Sequence, residues 1–350
     1  MLGVMKRKTV HDVAEQAGVS LATVDRVLNG RPGVSIAMAE RVRTTIERLD
    51  FQRDHYAASL ATSRRHHFVF VLPRLDSNTF ICTLRNEITT QIALLSSRRI
   101  QISLLDYTAF DPQALVDTLQ AVARRGPGQD IDGVAMVAID APAVRAAIEA
   151  LDESGVAVIT LVSDVTPSRR LHCISIDNIG AGRIAASLVG RFNARRRGRI
   201  AMIAGKLMLR DHSERTLGFT QVMRQDYPQL ELLPAAEGLD EGRVTAELTR
   251  ALLDRYDDLI GIYSIGAGNR GIIEALERSG RQHDVVLVGH ELTVHTRRAL
   301  LSGTFDAVLH QQVSDEIKVA VETLKAASDG ITDYVPTPIR IDIFLRDNIS

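Results

Sequence analysis

The most constraining feature of this sequence is an alternation of short apolar runs with amphipathic stretches, which begins near His67. Such alternation is typical of strand-helix-strand units on a parallel sheet. About 280 residues of this pattern exceed one ordinary doubly wound sheet, so we predict an α/β body of two Rossmann-like parallel-sheet lobes. The predicted strands are Phe68–Leu72, Ile100–Leu105, Gly133–Ile139, Val156–Leu161, Ile200–Ala204, Leu259–Ser264, Val285–Gly289 and Ile339–Leu345, with helices such as Ile179–Ala194 and Arg243–Leu253 between them.

The first 65 residues follow a different pattern, in which apolar residues recur at helical spacing. Thr9 and Asp12 have the spacing of a capping box at the start of a helix. This helix is expected to end at Gly18, because glycine adopts the positive φ of a C-terminal cap, and Ser20 can cap a second helix. Two helices joined by so short a turn cross steeply, as in a helix-turn-helix.

The second helix has an apolar side and a polar side. Its buried positions are predicted to be Val24, Val27 and Leu28. Ser35 can cap a third helix, which closes a small core with Ala39, Val42, Ile46 and Leu49. The outward side of the second helix is predicted to contact DNA; the alternative is a three-helix module that binds another protein. That outward side consists of Leu21, Ala22, Thr23, Asp25, Arg26 and Asn29.

Charge is divided unevenly along the chain. Residues 1–65 hold 11 Lys and Arg against 7 Asp and Glu, a formal charge of +4, which leaves −5 for the rest of a chain with net charge −1. A basic head on an acidic body suits DNA binding, although +4 alone is a weak argument.

The N-terminus lacks the features of a signal peptide, and no apolar run is long enough to span a membrane. Cys82 and Cys173 have no metal-site spacing. We therefore expect a cytoplasmic protein with unbridged thiols.

The head resembles the LacI/GalR (lac repressor) family of transcription regulators. The resemblance is carried by Thr9-Val-His-Asp-Val-Ala-Glu-Gln-Ala-Gly-Val-Ser20, by Thr23-Val-Asp-Arg-Val-Leu-Asn29 and by Val34-Ser35. In that family the second helix enters the major groove of DNA. The resemblance implies contacts to base edges from Leu21, Ala22 and Arg26, and contacts to phosphates from Thr9, Ser20, Thr23 and Asn29. The chemistry agrees, because an arginine can bind guanine in a bidentate manner and hydroxyl groups suit phosphate oxygens.

The same resemblance makes residues 54–62 a hinge helix that orders on operator DNA, with Leu60 inserted into the minor groove. The alternative is that this segment is only a tether. Asp25 departs from the family, which usually has serine there. Its carboxylate pairs with Arg26 or another cation, or accepts from a cytosine amino group; the sequence leaves these alternatives open.

The body resembles the effector domain of the same family, which is similar to periplasmic sugar-binding proteins with two lobes and a ligand cleft between them. We place the crossovers between lobes near Ser163–Asp164, Glu291–Leu292 and Thr332–Pro338. Polar groups around an apolar surface suit a polyhydroxylated effector, because each buried hydroxyl group needs hydrogen bonds. The resemblance implies effector contacts from Asn78, Phe80, Asp140, Ser163, Arg215, Asn269, Glu291 and Gln311.

Two departures weaken the assignment to a common hexose. Glu291 stands where the family usually has aspartate, and the usual Asn-Asp pair is replaced by Ser264-Ile-Gly-Ala-Gly-Asn269, in which Asn269 could supply the missing amide.

The main rival interpretation is an NAD(P)-binding enzyme or sensor. Gly266, Gly268 and Gly271 form a GxGxxG run after a predicted strand, and Glu291 lies twenty residues beyond Gly271, as in a dinucleotide-binding fingerprint. His290 and Glu291 do not begin a zinc-protease HExxH motif, because that motif needs a histidine at position 294 and the next histidine is His295. The basic run Arg195–Arg199 is interpreted as a solvated loop between a helix and a strand.

The sequence therefore predicts a non-enzymatic, DNA-binding transcription regulator, most simply a repressor, that needs no metal or cofactor. Its expected partners are a pseudo-palindromic operator, a second copy of the chain and a small carbohydrate-like effector. The predicted domains are residues 1–53 (DNA binding), 54–65 (hinge) and 66–350 (effector binding). Within the last, the N-lobe comprises about 66–162 and 292–331, and the C-lobe about 163–291 and 332–350.

Overall fold

The structure is a computed structural model that describes residues 10–28, 33–49, 65–124 and 131–349. The chain divides into two compact units, one ending at Arg64 and the other beginning at Arg65. Within the described ranges, no helix is both long and apolar enough to cross a lipid bilayer.

The first unit contains three short helices, α1 (Val10–Ala17), α2 (Leu21–Leu28) and α3 (Ile36–Arg48). The turn between α1 and α2 has the predicted chemistry. Gly18 adopts a φ of +61°, and the Oγ atom of Ser20 accepts a hydrogen bond from the backbone N–H of Thr23 at 3.2 Å. Ser35 caps α3 in the same way, accepting from the N–H of Met38 at 3.3 Å. Thr9, and with it the predicted capping box, lies outside the described residues.

The core of this unit is small and apolar. Val13, Val24 and Val42 are fully buried, one from each helix, as the spacing of apolar residues predicts. On the surface, Arg48 of α3 donates to the Oε1 atom of Gln16 on α1 at 3.1 Å. The third helix thus packs against both α1 and α2.

The second unit begins with a five-stranded parallel sheet of order β2-β1-β3-β4-β5. Both faces of the sheet are buried, which explains the continuous apolar strands. Phe68 and Phe70 point to one face and Val69 and Val71 to the other. The elements of this first lobe are β1 (His66–Arg74), α4 (Thr79–Ser97), β2 (Ile100–Thr108), α5 (Pro112–Ala123), β3 (Gly133–Met136), α6 (Pro142–Glu153), β4 (Ala157–Leu161) and β5 (His172–Ile174).

The second lobe is built on a seven-stranded sheet, in which β8 pairs with β6 and the other strands follow the order β12-β11-β10-β9-β6-β7. Only β12 is antiparallel to its neighbour. Its elements are α7 (Asn178–Phe192), β6 (Gly198–Ala204), α8 (Arg210–Asp226), β7 (Leu230–Leu232), β8 (Ala236–Glu237), α9 (Gly242–Arg255), β9 (Leu259–Ser264), α10 (Asn269–Ser279), β10 (Val286–His290), α11 (Val294–Ser302), β11 (Ala307–Gln311) and β12 (Ile341–Phe344).

A last helix, α12 (Val313–Ser328), returns to the first lobe and packs on β1, β3 and β4. The chain therefore crosses between lobes at residues 175–177, at Gln312 and at residues 329–340. The third crossing contains the predicted Thr332–Pro338 segment.

The first two predicted crossings are wrong. The chain does not leave the first lobe at Ser163–Asp164, because β5 still pairs with β4 in the first sheet. It does not leave the second lobe at Glu291–Leu292, because β11 pairs with β10. The first lobe therefore extends past residue 162 to the end of β5 at Ile174, and its second segment begins after Gln312 instead of at residue 292. The predicted limits at 53 and 65 remain predictions.

Candidate functional site

The first candidate surface is the outward side of α2. Leu21 is 42% exposed, and Ala22, Asp25 and Arg26 are exposed beside it, while Thr23 is half-buried. The hydroxyl groups of Ser20 and Thr23 lie 2.9 Å apart at the start of the helix. A helix that presents a guanidinium group and hydroxyl groups on one side has the chemistry of base and phosphate contact. Of the other residues predicted to contact DNA, Thr9, Asn29 and Leu60 lie outside the described residues, as does the predicted hinge helix.

The second candidate site is the space between the two lobes, called the cleft below. It measures about 730 Å³, including the part that opens to solvent. It lies at the carboxyl ends of the strands of both sheets, where open α/β folds place their ligands. Three aromatic residues line it: Phe80, Tyr107 and Phe110. The polar lining comprises Asn78, Thr79, Ser163, Asp211, His212, Arg215, Asp240, Asn269, His290, Glu291 and Gln311.

Most residues predicted to contact an effector are brought together here. Asn78, Phe80 and Ser163 come from the first lobe, and Arg215, Asn269, Glu291 and Gln311 come from the second.

Asp140 is not part of the cleft lining. Its carboxylate pairs with Arg145 of α6 at 2.8 Å and with Arg210 of the second lobe at 3.4 Å. The backbone N–H of Arg210 also donates to the Oγ atom of Ser163 at 3.1 Å. Asp140 therefore joins the two lobes. The structure does not place it where it would contact an effector.

Asn78 has two structural partners. Its Oδ1 atom caps α4 by accepting from the N–H groups of Phe80 and Ile81. Its Nδ2 atom donates across the cleft to the Oδ2 atom of Asp240 at 3.0 Å. The other carboxylate oxygen of Asp240 accepts from the backbone N–H of Ala267 at 2.8 Å. Asp240, which the sequence interpretation missed, thus ties the first lobe to the loop that follows β9.

Arg215 lies on α8 and is only 3% exposed. Its Nε atom donates to the Oδ1 atom of Asn178 at 2.8 Å, and its Nη1 atom donates to the carbonyl oxygen of Ile265 at 3.0 Å. The helix that carries it packs against α7 at glycine contacts: a Cβ atom on Gly182 would lie 2.1 Å from the carbonyl oxygen of Arg215. The guanidinium group is thereby held at the base of the cleft.

Glu291 adopts a φ of +70°, a strained conformation for a residue with a side chain. Its side chain is fixed by two neighbours on β11. Its Oε2 atom lies 3.0 Å from the Nδ1 atom of His310, and its Oε1 atom accepts from the Nε2 atom of Gln311 at 3.0 Å. Strain held by specific partners is common at ligand sites.

A buried hydrogen-bond network extends from the lining into the second lobe. The Nδ2 atom of Asn269 donates to the carbonyl oxygen of His290 at 2.9 Å, and the Nε2 atom of His290 lies 2.8 Å from the hydroxyl group of Tyr263. Burial lowers the pKa of His290 well below its usual range, with further lowering by the nearby Arg215. His290 is therefore neutral, and its Nε2 atom and the hydroxyl group of Tyr263 share one hydrogen bond.

Glu316 of α12 is fully buried, within reach of the charges of Glu291, Arg215 and Asp211. Burial raises its pKa well above the usual range, and the carboxylate of Glu291 raises it further. Among the described residues, neither carboxyl oxygen has a hydrogen-bond partner. Burial and the charge of Glu291 thus favour the neutral, protonated form of Glu316, which lies in the first turn of α12, just after the crossing from β11.

The GxGxxG run is explained by packing within the second lobe. A Cβ atom on Gly271 would lie 1.8 Å from the carbonyl oxygen of Gly242, and one on Gly266 would lie 2.5 Å from Asp240. Gly268 has a φ of +92° at the start of α10. These close approaches are intramolecular, so the glycines do not require a dinucleotide.

Comparison with known proteins decides the family. Residues 68–332 match the family described as periplasmic binding protein domain, and residues 9–54 match bacterial regulatory proteins, lacI family. The chain belongs to the lacI family of bacterial regulatory proteins.

Several known proteins are similar to this lacI-family regulator. It is 28% identical over 303 residues to the HTH-type transcriptional regulator CelR of Thermobifida fusca, covering 82% of each chain. It is 28% identical over 184 residues to the sucrose operon repressor of Staphylococcus xylosus, covering 53% of each chain. Its fold is similar to that of GanP, a glucose-galactose binding protein from Geobacillus stearothermophilus, with a TM-score of 0.72 and 19% identity over 82% of this chain and 99% of that one. The regulator is thus a DNA-binding transcription regulator with a periplasmic-binding-protein body.

Proposed function

We propose that the regulator is a repressor that binds a pseudo-palindromic operator in the cytoplasm as a homodimer, and that a small polar effector in the cleft controls its operator affinity. A sugar or sugar derivative is the proposed effector class. The names of the sucrose operon repressor and of GanP agree with that class, as do the polar groups and aromatic rings of the cleft.

The observation that carries the proposal is that both lobes contribute to the cleft and touch each other around it. Asn78 binds Asp240 across it, and Arg210 binds Asp140 and Ser163. A ligand held between the lobes must contact both, so it favours one relative pose of the lobes over others. A ligand shifts such an equilibrium by its difference in affinity for the two states.

The proposed effector contacts are the groups that the cleft presents: the ring of Phe80 for an apolar face, and polar atoms for hydroxyl groups. Arg215 and Glu291 are held in place by their own partners. The proposed polar contacts are Ser163, Arg215, Asn269, Glu291 and Gln311, with the remaining amide hydrogen of Asn78.

On the DNA side, we assign base-edge contacts to Leu21, Ala22 and Arg26, and minor-groove insertion to Leu60. Phosphate contacts are assigned to Thr9, Ser20, Thr23 and Asn29. A head that reads half a site needs a second copy of the chain, because two-fold symmetry of the protein matches the two half-sites.

The test is selection of duplexes from a random DNA pool by the full chain at fixed salt concentration, since phosphate contacts make affinity salt-dependent. Enrichment of a near-palindromic sequence, bound by two chains, is the expected result. Failure to enrich any sequence over the starting pool would contradict the proposal.

A further inference from the structure

The charged groups that line the cleft are mostly acidic. Three carboxylates, those of Asp211, Asp240 and Glu291, line it together with one guanidinium group, that of Arg215, and the imidazoles of His212 and His290. Burial keeps His290 neutral by lowering its pKa. Burial raises the pKa of Glu316, and the negative charge of Glu291 raises it further because a second carboxylate nearby would be repelled. The cleft is therefore short of positive charge.

The single guanidinium group is already engaged by the protein. Arg215 donates to the side chain of Asn178 and to the carbonyl oxygen of Ile265. Those two hydrogens are not free for a ligand, while the charge of the guanidinium group and its other N–H groups remain in the cleft.

The unpaired polar atoms of the lining are acceptors. Within the described part of the chain, the Oδ1 atoms of Asp211 and Asn269 and the Oε1 atom of Gln311 are buried without a hydrogen-bond partner. The amide orientations are fixed, because Asn269 donates to the carbonyl oxygen of His290 and Gln311 donates to Glu291. Rotating either amide would place oxygen against oxygen. Buried acceptors without partners are costly, so a ligand that fits must bring donors.

Asp211 differs from the other two carboxylates. Both oxygens of Asp240 accept hydrogen bonds, from Asn78 and Ala267, and both oxygens of Glu291 have neighbours on β11. Asp211 keeps its Oδ1 atom unpaired although the residue is only 5% exposed, and its Oδ2 atom lies 3.6 Å from the Nε2 atom of His212. It lies in the first turn of α8, where the positive end of the helix dipole stabilises a carboxylate.

We propose that the effector is a polyhydroxylated amine, a small polyol or sugar that carries one ammonium group, and that Asp211 binds the ammonium group. Asn269 and Gln311 accept from its hydroxyl groups. The rings of Phe80 and Phe110 cover its apolar face, and an aromatic face also attracts a cation. This inference rests on the proposed function and narrows its effector class. It excludes sugar acids and sugar phosphates, which would add negative charge to an acidic cleft.

The test uses calorimetric titration of the full chain with matched pairs in which an ammonium group replaces one hydroxyl group. The pairs are D-glucosamine and D-glucose, D-galactosamine and D-galactose, and 1-amino-1-deoxysorbitol and sorbitol, with gluconate as an anionic probe. At least one amine is expected to bind about tenfold or more tightly than its hydroxyl counterpart, the size of one buried charge-assisted hydrogen bond. Gluconate is expected to bind more weakly than every amine that binds.

A variant locates the ammonium group. Asp211→Asn keeps the shape of the side chain and removes its charge, so the preference for the amine should fall to within a few-fold. The matched control is Asp226→Asn, at an exposed position on the same helix, which should leave the preference unchanged. The comparison within each ligand pair on the unaltered chain does not depend on how well either variant folds.

Two results would overturn this inference: a neutral sugar or gluconate that binds as tightly as the amines, or no binding of any amine at millimolar concentration. Either result would contradict the amine as effector without contradicting the proposed function of the regulator. If a neutral or acidic ligand binds and changes operator affinity, the regulator is still effector-controlled and only the amine is wrong. If no DNA sequence is enriched from a random pool, the proposed function fails whatever the cleft binds.

Discussion

Asn78 and Asp240 meet across the cleft, where the Nδ2 atom of Asn78 donates to the Oδ2 atom of Asp240 at 3.0 Å. The same asparagine caps α4 through its Oδ1 atom. One side chain therefore both begins a helix of the first lobe and joins that lobe to the second.

Two substitutions separate these roles of Asn78. Asn78→Ala removes the cap and the hydrogen bond to Asp240, and removal of the cap alone costs about 0.5–2 kcal/mol. Asn78→Ser can still cap α4 but is too short to reach Asp240, so it should forfeit only the hydrogen bond, about 1 kcal/mol. The measurement is the free energy of unfolding in urea for the full chain. If Asn78→Ser is as stable as the unaltered chain, the hydrogen bond between lobes contributes nothing; equal destabilisation by both variants would show instead that the cap contributes nothing.

Arg215→Ala is expected to lower the free energy of unfolding by about 2–3 kcal/mol, because buried acceptors on Asn178 and Ile265 lose a charged donor. The matched control is Arg224→Ala, at an exposed position on the same helix, which should change it by less than about 0.5 kcal/mol. Urea unfolding measures both. A cost as small as that of the control would mean that the guanidinium group is not engaged by the protein, which would undercut its assignment as a fixed group in the cleft.

Glu316 should make stability depend on pH. Its pKa is raised in the folded protein, so below the ordinary carboxyl pKa of 4.5 both folded and unfolded chains are protonated and the group contributes nothing. As the pH rises above that value, the unfolded chain releases the proton and the folded chain retains it. The free energy of unfolding therefore falls with rising pH, by at most about 1.4 kcal/mol per pH unit from this group.

Glu316→Gln cannot ionise and should remove this pH dependence. The stability of the variant relative to the unaltered chain is expected to increase from pH 5 to pH 7 in urea unfolding. Glu153→Gln, at an exposed position on α6, is the control and should leave the pH dependence unchanged. A difference between Glu316→Gln and the unaltered chain that stays constant with pH would mean that Glu316 is ionised in the folded protein.

The head and the strand ends could be predicted from the sequence because their signals are local. Gly18, Ser20 and Ser35 act on residues within three or four positions, so their caps are visible in the sequence. Asn269 and Gln311 lie at or near the ends of strong apolar strands, which places them at one edge of a parallel sheet.

The features that the sequence did not reveal depend on distant partners. β5 has three residues and is held by pairing with β4, so the first crossing was placed too early. Asp140 follows a strand like the other predicted residues, yet Arg210 from the second lobe draws its carboxylate away from the cleft. Asp240 follows a two-residue strand that gives no apolar signal, and Glu316 lies on a helix whose position is set by a crossing of the chain.

Arg26→Ala is expected to relax base preference at one position of each half-site and to cost about 1–3 kcal/mol for each bidentate arginine–base pair that it removes. Arg43→Ala, at an exposed position on α3, is the matched control and should not alter preference at any single position. The measurement is affinity for a selected operator and for its single-base variants at one salt concentration. A uniform decrease in affinity for every operator variant would make Arg26 a phosphate contact only.

Coupling between the cleft and DNA is the central claim, and it is tested by measuring both affinities of the full chain. The operator is the duplex selected from a random pool, and the ligand is the member of the sugar and amine panel that binds most tightly. We predict that saturating ligand changes operator affinity, by about 5- to 150-fold for a typical coupling, and that saturating operator changes ligand affinity by the same factor. Leu60→Ala should weaken operator binding while the body still binds the ligand. Operator affinity that stays the same with the ligand bound would contradict this coupling.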